Sequence, residues 1–228
     1  MKTLNKEQYQ SLREGAEVLA ADNHGDKVLR LKTGHIMKLF RRKRLFSSAL
    51  IYPYGKRFAV NVKQLAKLGI PTVTGLSLYR VPSISRIAVV YKPLPGSSLD
   101  DEIRQGAFGE QDIRQFATFL AKLHRLGIYF RSIHLGNVIK TPNGELGLID
   151  VSDMKVYRRS LPASLCARNM RHFCRYSEHA AALFPDGNSE TFMQAYLAGM
   201  KAGTKQRKDL EEAVSRQLEK NLAQPQEN

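Results

Sequence analysis

The segment His134-Leu135-Gly136-Asn137-Val138-Ile139, followed by Leu148-Ile149-Asp150, holds the residue types with most to offer chemically. Asn137 would end a loop, a hairpin would follow, and Asp150 would close an apolar strand thirteen positions on. That layout sets an amide oxygen beside a carboxylate, two hard oxygen ligands suited to Mg²⁺ on nucleotide phosphates. Taken singly, each residue has a plainer reading, as a turn asparagine and a solvent-facing strand-end aspartate. His124 falls on the apolar face of a helical run and reads as a packed structural histidine.

The elements that must position these residues are legible from periodicity. Residues 5–14 form a short helix, then Ala16–Ala21, Val28–Leu31 and His35–Phe40 read as strands, with turns at Asn23–Asp26 and Thr33-Gly34. Residues 57–68 place Phe58, Val62, Leu65 and Leu68 at helical spacing, and Gly69-Ile70-Pro71 stops that helix. Strands follow near Gly75–Tyr79 and Ile87–Tyr91, then the bend Pro93-Leu94-Pro95-Gly96. Glu110–Leu126 is a strong amphipathic helix with Ile113, Phe116, Phe119, Leu120 and Leu123 on one face. Val138-Ile139 and Leu146–Ile149 bracket the turn Thr141–Gly144 as a hairpin, and helices dominate beyond about residue 160. The expected organisation is α+β in two parts: a β-rich piece over 1–95, a helical piece with the loop and ligands over 96–203, and a charged helix with a polar tail over 204–228. A ligand cleft between two such lobes is the default expectation.

The 228 residues carry 43% hydrophobic and 25% charged side chains, an ordinary globular composition. The two cysteines, Cys166 and Cys174, are too few for a disulfide framework and are expected to be reduced. No run approaches the ~18 apolar residues of a spanning helix and the N-terminus lacks a signal-like core, so the cytoplasm is the expected location. The formal charge of +15 is concentrated: Lys27 to Leu99 contains 15 Lys and Arg and no Asp or Glu. A face this basic attracts phosphates. Phe40-Arg41-Arg42-Lys43-Arg44-Leu45-Phe46 interleaves cations with aromatics, as a solvated loop or as a contact to an anionic membrane surface or phosphorylated glycolipid. Nucleic acid would suit the charge, but no nucleic-acid module is recognised and none is expected as a partner.

Phe130-Arg131-Ser132-Ile133-His134-Leu135-Gly136-Asn137 resembles the catalytic loop of small-molecule kinases, written H-G-D-L-H-P-G-N, and Leu120–Ile128 resembles the helix before it. Val89–Gly96 is similar to the strand and hinge where adenine contacts backbone, which implicates Tyr91 and Lys92. Arg168–Tyr176 resembles a helical signature of the lipopolysaccharide core kinases, the Kdo/heptose kinase family, and the whole is most similar to that family's toluene-tolerance branch. The resemblance implies a protein-kinase-like fold binding ATP and Mg²⁺. It implies that Lys38 contacts the α- and β-phosphates, that Asn137 and Asp150 hold the metal, and that Gly25 lies in the phosphate-covering turn. The acceptor it implies is a phosphorylated sugar or lipopolysaccharide precursor, met at the inner membrane face.

Two departures stand beside those matches. The position five before Asn137, which the family gives to a catalytic Asp, is Ser132, and serine is no base at neutral pH without help. The helix position that should supply a Glu to the lysine is Asn61. His134 and Asp153 are the expected substitute bases, since a histidine ordinarily titrates near neutrality. Their plainer readings are a loop histidine bonded to backbone and a cap for the next helix. The functional expectations are therefore a phosphotransferase, weak for want of its aspartate, or a catalytically dead pseudokinase serving as an envelope-maintenance interaction module.

Overall fold

In the computed structural model, which describes residues 1–41, 54–201 and 204–223, Asn5 accepts the Gln8 N–H at 2.8 Å and the Gln8 side chain accepts the Asn5 N–H at 3.0 Å. This reciprocal cap starts helix α1 (Lys6–Arg13). Residue contacts group the chain into two units, 1–94 with 149–153, and 95–148 with 154–228.

The first unit is built on a six-stranded sheet. Its order is β1 (Lys2–Thr3), β5 (Thr74–Val81), β6 (Arg86–Lys92), β4 (Ile36–Arg41), β3 (Gly25–Arg30), β2 (Glu17–Asp22). The β1–β5 pair is parallel and the rest are antiparallel. Alternation along β4 sorts its side chains between two faces. Met37 and Leu39 join Leu29, Leu31, Val81 and Ala88 in a core closed by Leu4 and by Tyr9 of α1. Lys38 and Phe40 point the other way, toward helix α2 (Tyr54–Lys67). There Phe58 is fully buried, its ring centroid 6.1 Å from Phe40 and 5.3 Å from Tyr91. A Cβ on Gly55 would stand 2.8 Å from Ile87 Cγ2, so a bare glycine lets the start of α2 approach the sheet. Ile149–Asp153 groups with this unit although its sequence position suggests the helical piece. Its 3₁₀ turn, Val151–Asp153, packs on α2.

The second unit is mostly helical: α3 (Leu99–Arg104), α4 (Glu110–Arg125), α5 (Ala163–Phe173), α6 (Ser177–Leu183), α7 (Glu190–Met200) and α8 (Thr204–Ala223). Phe116 of α4, Phe173 of α5 and Phe192 of α7 are fully buried and meet ring to ring at 5.7–6.3 Å. The short strands β9 (Val138–Lys140) and β10 (Leu146–Leu148) form the expected hairpin, extended by β7 (Ser97–Ser98). Strands β8 (Ile128–Phe130) and β11 (Met154–Val156) pair antiparallel. Because Asp153 leads into β11 and not into a helix, the helix-cap reading of that residue is corrected. Both cysteines are buried free thiols. Residues 42–46 of the basic run and 224–228 of the tail lie outside the described residues.

Gly127 turns the chain out of α4 with φ +76°, and a Cβ there would run into the carbonyl oxygens of Tyr157 and Arg159. Gly127→Ala is expected to destabilise the protein by about 2 kcal/mol, read as a lower urea midpoint; an unchanged midpoint would show that the turn relaxes freely.

Candidate functional site

Lys38 sits mid-strand in β4, opposite Val89 on β6. Its Nζ lies 2.5 Å from Asp150 Oδ1, with side chains 20% and 44% exposed, and 5.7 Å from the centre of the Phe40 ring. Asp150 takes φ +53°, a left-handed conformation uncommon outside glycine. Holding it costs on the order of 1 kcal/mol, while a half-exposed ion pair returns at most about 1 kcal/mol. Stability therefore does not explain the pair, and a strained carboxylate held against a lysine is an arrangement that functional sites keep.

Asn61, buried on α2, donates its amide Nδ2 to Val151 O at 2.6 Å. It occupies the position that the resemblance gives to a glutamate, and it is neutral. It therefore anchors the segment beside Asp150 through a backbone carbonyl, and Lys38 draws its counter-charge from Asp150 itself. Tyr91 stacks on Phe58, and burial, reinforced by the Asp150 carboxylate, raises its hydroxyl well above the ordinary tyrosine range. Lys92 is exposed at the end of β6 opposite Thr74. Gly25 opens β3 with φ +98° and lines a cavity with Leu39 and Arg41, residues of the face turned away from Lys38. Asp153 closes the 3₁₀ turn that follows Asp150.

In the second unit, the loop between β8 and β9 is set from below by a buried polar chain. Asn169 Nδ2 donates to Phe130 O at 2.8 Å, leaving Asn169 Oδ1 to face His124 Nε2 at 2.9 Å, while His124 Nδ1 meets Tyr196 OH at 2.7 Å. His124 is fully buried, and burial drives its pKa down to about 4 against a partly opposing bond to Asn169. It is structural, as its place on the apolar face implied. Within the loop, Asn137 Nδ2 donates to Ser132 O at 2.9 Å, which leaves the amide Oδ1 as the atom open to a ligand.

His134 makes no side-chain cap to the turn Leu135–Asn137 that it precedes. It packs instead between two rings, 5.0 Å from Tyr176 and 5.9 Å from His179 with its plane within 10° of the latter. His179 Nε2 lies 2.8 Å from Asp100 Oδ1. The Asp100–His179–His134 arrangement escapes sequence reasoning, since Asp100 and His179 are 79 positions apart with no local signal joining them.

Arg131 of the loop and Arg168, Arg171 and Arg175 are exposed around Tyr129 and His172. Tyr129 OH and His172 Nε2 are 3.0 Å apart, and burial, then the surrounding guanidiniums, push His172 down to about 4. Among the described residues no group of three or more His, Cys, Asp or Glu is arranged to hold a metal ion. The remaining metal candidates are Asp150 Oδ2, the carboxylate oxygen that Lys38 does not pair, and Asn137 Oδ1, each within its own unit. Their hard-oxygen chemistry fits Mg²⁺.

The element order, a β-rich N-terminal unit followed by a mostly helical one, is the α+β arrangement expected above. No protein-family model matches the chain, and no curated protein matches it. Among solved structures, the chain is similar to one described as "a divergent kinase lacking the glycine-rich loop" that "regulates membrane ultrastructure of the Toxoplasma parasitophorous vacuole". The TM-score is 0.42 at 17% identity, over 86% of this chain and 74% of that one.

Proposed function

We propose that this protein binds an Mg-nucleotide and acts as an ATP-dependent phosphotransferase of the lipopolysaccharide-kinase type, its acceptor a core sugar or envelope glycolipid. The observation that carries the reading is the Lys38–Asp150 pair, a lysine and a strained carboxylate 2.5 Å apart. Lys38 would hold nucleotide phosphates, and Asp150 with Asn137 would hold Mg²⁺, which on binding offsets phosphate charge. Tyr91 and Lys92 would border the base through their backbone, and Gly25 would belong to the covering turn. His134 or Asp153 would take the acceptor's proton in place of an aspartate at Ser132. A glycolipid acceptor would be met from a cytoplasmic, peripheral position; no helix among the described residues is long and apolar enough to cross a membrane.

Calorimetric titration with ATP, with and without Mg²⁺, tests the binding half. Tight binding should require the metal, and Lys38→Met and Asp150→Ala should each weaken it by about tenfold or more, roughly 1.4 kcal/mol. Metal-independent binding, or binding that ignores both substitutions, would overturn the assignment. A second reading, a pseudokinase that binds nucleotide without turnover, is favoured by Asn61 and Ser132, neutral where the family carries acids. It predicts Mg-ATP binding with no transfer to a lipopolysaccharide acceptor above the Asp150→Ala background, whereas the first reading predicts transfer above it.

A further inference from the structure

A cavity of the first unit lies on the sheet face opposite Lys38 and shares only the turn around Gly25 with that reading. It opens on the α1 face of the sheet, about 610 Å³ in volume, and its lining includes Tyr9 and Arg13 of α1, Leu39 and Arg41 of β4, Asp26 of β3 and Arg86 of β6. Lys38 points to the other face, because Leu39 and Arg41 alternate with it along β4. The cavity is therefore separate from the Lys38–Asp150 pair.

Its charge is one-sided. Three guanidiniums meet a single carboxylate, Asp26, which Arg13 already pairs at 2.5 Å. Arg86 is only 6% exposed, yet its two terminal nitrogens donate to the backbone carbonyls of Asp26 and His24. No carboxylate among the described residues forms an ion pair with it. A buried cation is ordinarily kept beside an anion, since neutral acceptors replace only part of its lost hydration. Arg41, at the rim, is exposed. Tyr9, Leu39 and Ile84 supply an apolar wall beside these charges.

We infer that this cavity is a binding site for a phosphate monoester, which supplies the counter-charge that Arg86 and Arg41 lack and shares Arg13 with Asp26. A monoester carries close to two negative charges near neutral pH, matching the excess of two cations over Asp26, and its oxygens suit guanidinium forks. The volume accommodates a sugar phosphate or the headgroup of phosphatidic acid, and the apolar wall favours an organic ester over the bare ion. Asp26 is a built-in competitor, because the incoming phosphate must share Arg13 with it.

The test is titration of the full chain with phenyl phosphate, inorganic phosphate and vesicles containing phosphatidic acid, in the absence of nucleotide and Mg²⁺. Phenyl phosphate should bind more tightly than inorganic phosphate. Arg41→Ala should weaken it about tenfold, and Arg13→Ala by more, since it also leaves Asp26 facing the ligand unopposed. Asp26→Asn should tighten it by several-fold, a gain that a mere loss of fold cannot mimic. Lys38→Met should leave it unchanged. Vesicle binding that shows the same variant pattern would identify the lipid headgroup as a source, and its absence alongside phenyl phosphate binding would identify a soluble ester. No binding of either, binding lost in Lys38→Met but kept in Arg13→Ala and Arg41→Ala, or weaker binding in Asp26→Asn would overturn the inference. Since the cavity and Lys38 are probed by different variants, failure here leaves the nucleotide reading standing, and the reverse also holds.

Discussion

Ser132→Asp is expected to raise phosphoryl transfer to a sugar acceptor by about 10²–10⁴-fold, the usual worth of a positioned general base. That is roughly 3–5 kcal/mol off the barrier. The loop is ready to accept the change. What Asn137 holds at position 132 is the backbone carbonyl, at 2.9 Å, so replacing the side chain leaves that bond in place. The loop is further fixed through Phe130 O by Asn169, again without the serine hydroxyl. Position 132 is neither fully buried nor fully exposed, which leaves room for one carboxylate without stranding it in a dry core. Ser132→Asn is the matched control, similar in size and unable to take a proton, and it should give no gain. Both variants should bind Mg-ATP as the parent does. If Ser132→Asp transfers no faster than Ser132→Asn while nucleotide binding holds, the loop does not stand in the catalytic relation that its sequence resembles.

That prediction draws on a residue whose meaning came from resemblance, and much of the fold needed no such help. Helix α4 was readable because Ile113, Phe116, Leu120 and Leu123 recur at helical spacing over about three turns, and each is buried. The β9–β10 hairpin announced itself through Asn143-Gly144 between apolar runs. Strands β1, β8 and β11 did not, because two or three residues are too few to show a period. Helix α3 had a local signal that can be read: Ser98 Oγ accepts the Asp101 N–H at 3.0 Å, a capping box followed by acids in the first turn. The site is harder. Lys38 and Asp150 lie far apart in the chain, and periodicity says nothing of their meeting. Arg86 and the β2–β3 turn are joined only through backbone carbonyls, which any residue offers. The grouping of Ile149–Asp153 with the first unit likewise depends on Asn61, whose buried amide looks unremarkable in a basic amphipathic helix. Local physics thus writes the long elements plainly, while the contacts that assemble a site are settled by packing at long range.

Acid is expected to unfold this protein earlier than its surface charge would suggest, through two histidines that fold neutral. In the unfolded chain each imidazole titrates near pH 6.5; folded, His124 and His172 are pushed down to about 4, chiefly by burial. Above pH 6.5 both states leave the rings neutral and no stability is lost. Between about 6.5 and 4 the unfolded chain takes up protons that the folded one refuses, so stability falls as pH falls, and the loss levels off below 4. For His124 the full loss is about 3 kcal/mol, with His172 adding a similar order. The hydrogen-bond pattern sharpens the His124 case. Because Asn169 Nδ2 is committed to Phe130 O, its Oδ1 accepts from His124 Nε2–H, and the bare Nδ1 is left to accept from Tyr196 OH. A proton on Nδ1 would force the Tyr196 hydroxyl to turn from donor to acceptor and would place a cation in a fully buried site. Urea unfolding at pH 7 and pH 5 measures the effect, and His124→Gln should remove about one histidine's share of the difference, although it lowers stability at both pH values. Equal unfolding free energies at the two pH values in the parent protein would refute the assignment. The Nε2–H bond to Asn169, and with it the Asn169 bond to Phe130 O two residues before Ser132, is kept in the protonated ring, so the acid cost falls on burial of the charge and on the Tyr196 side.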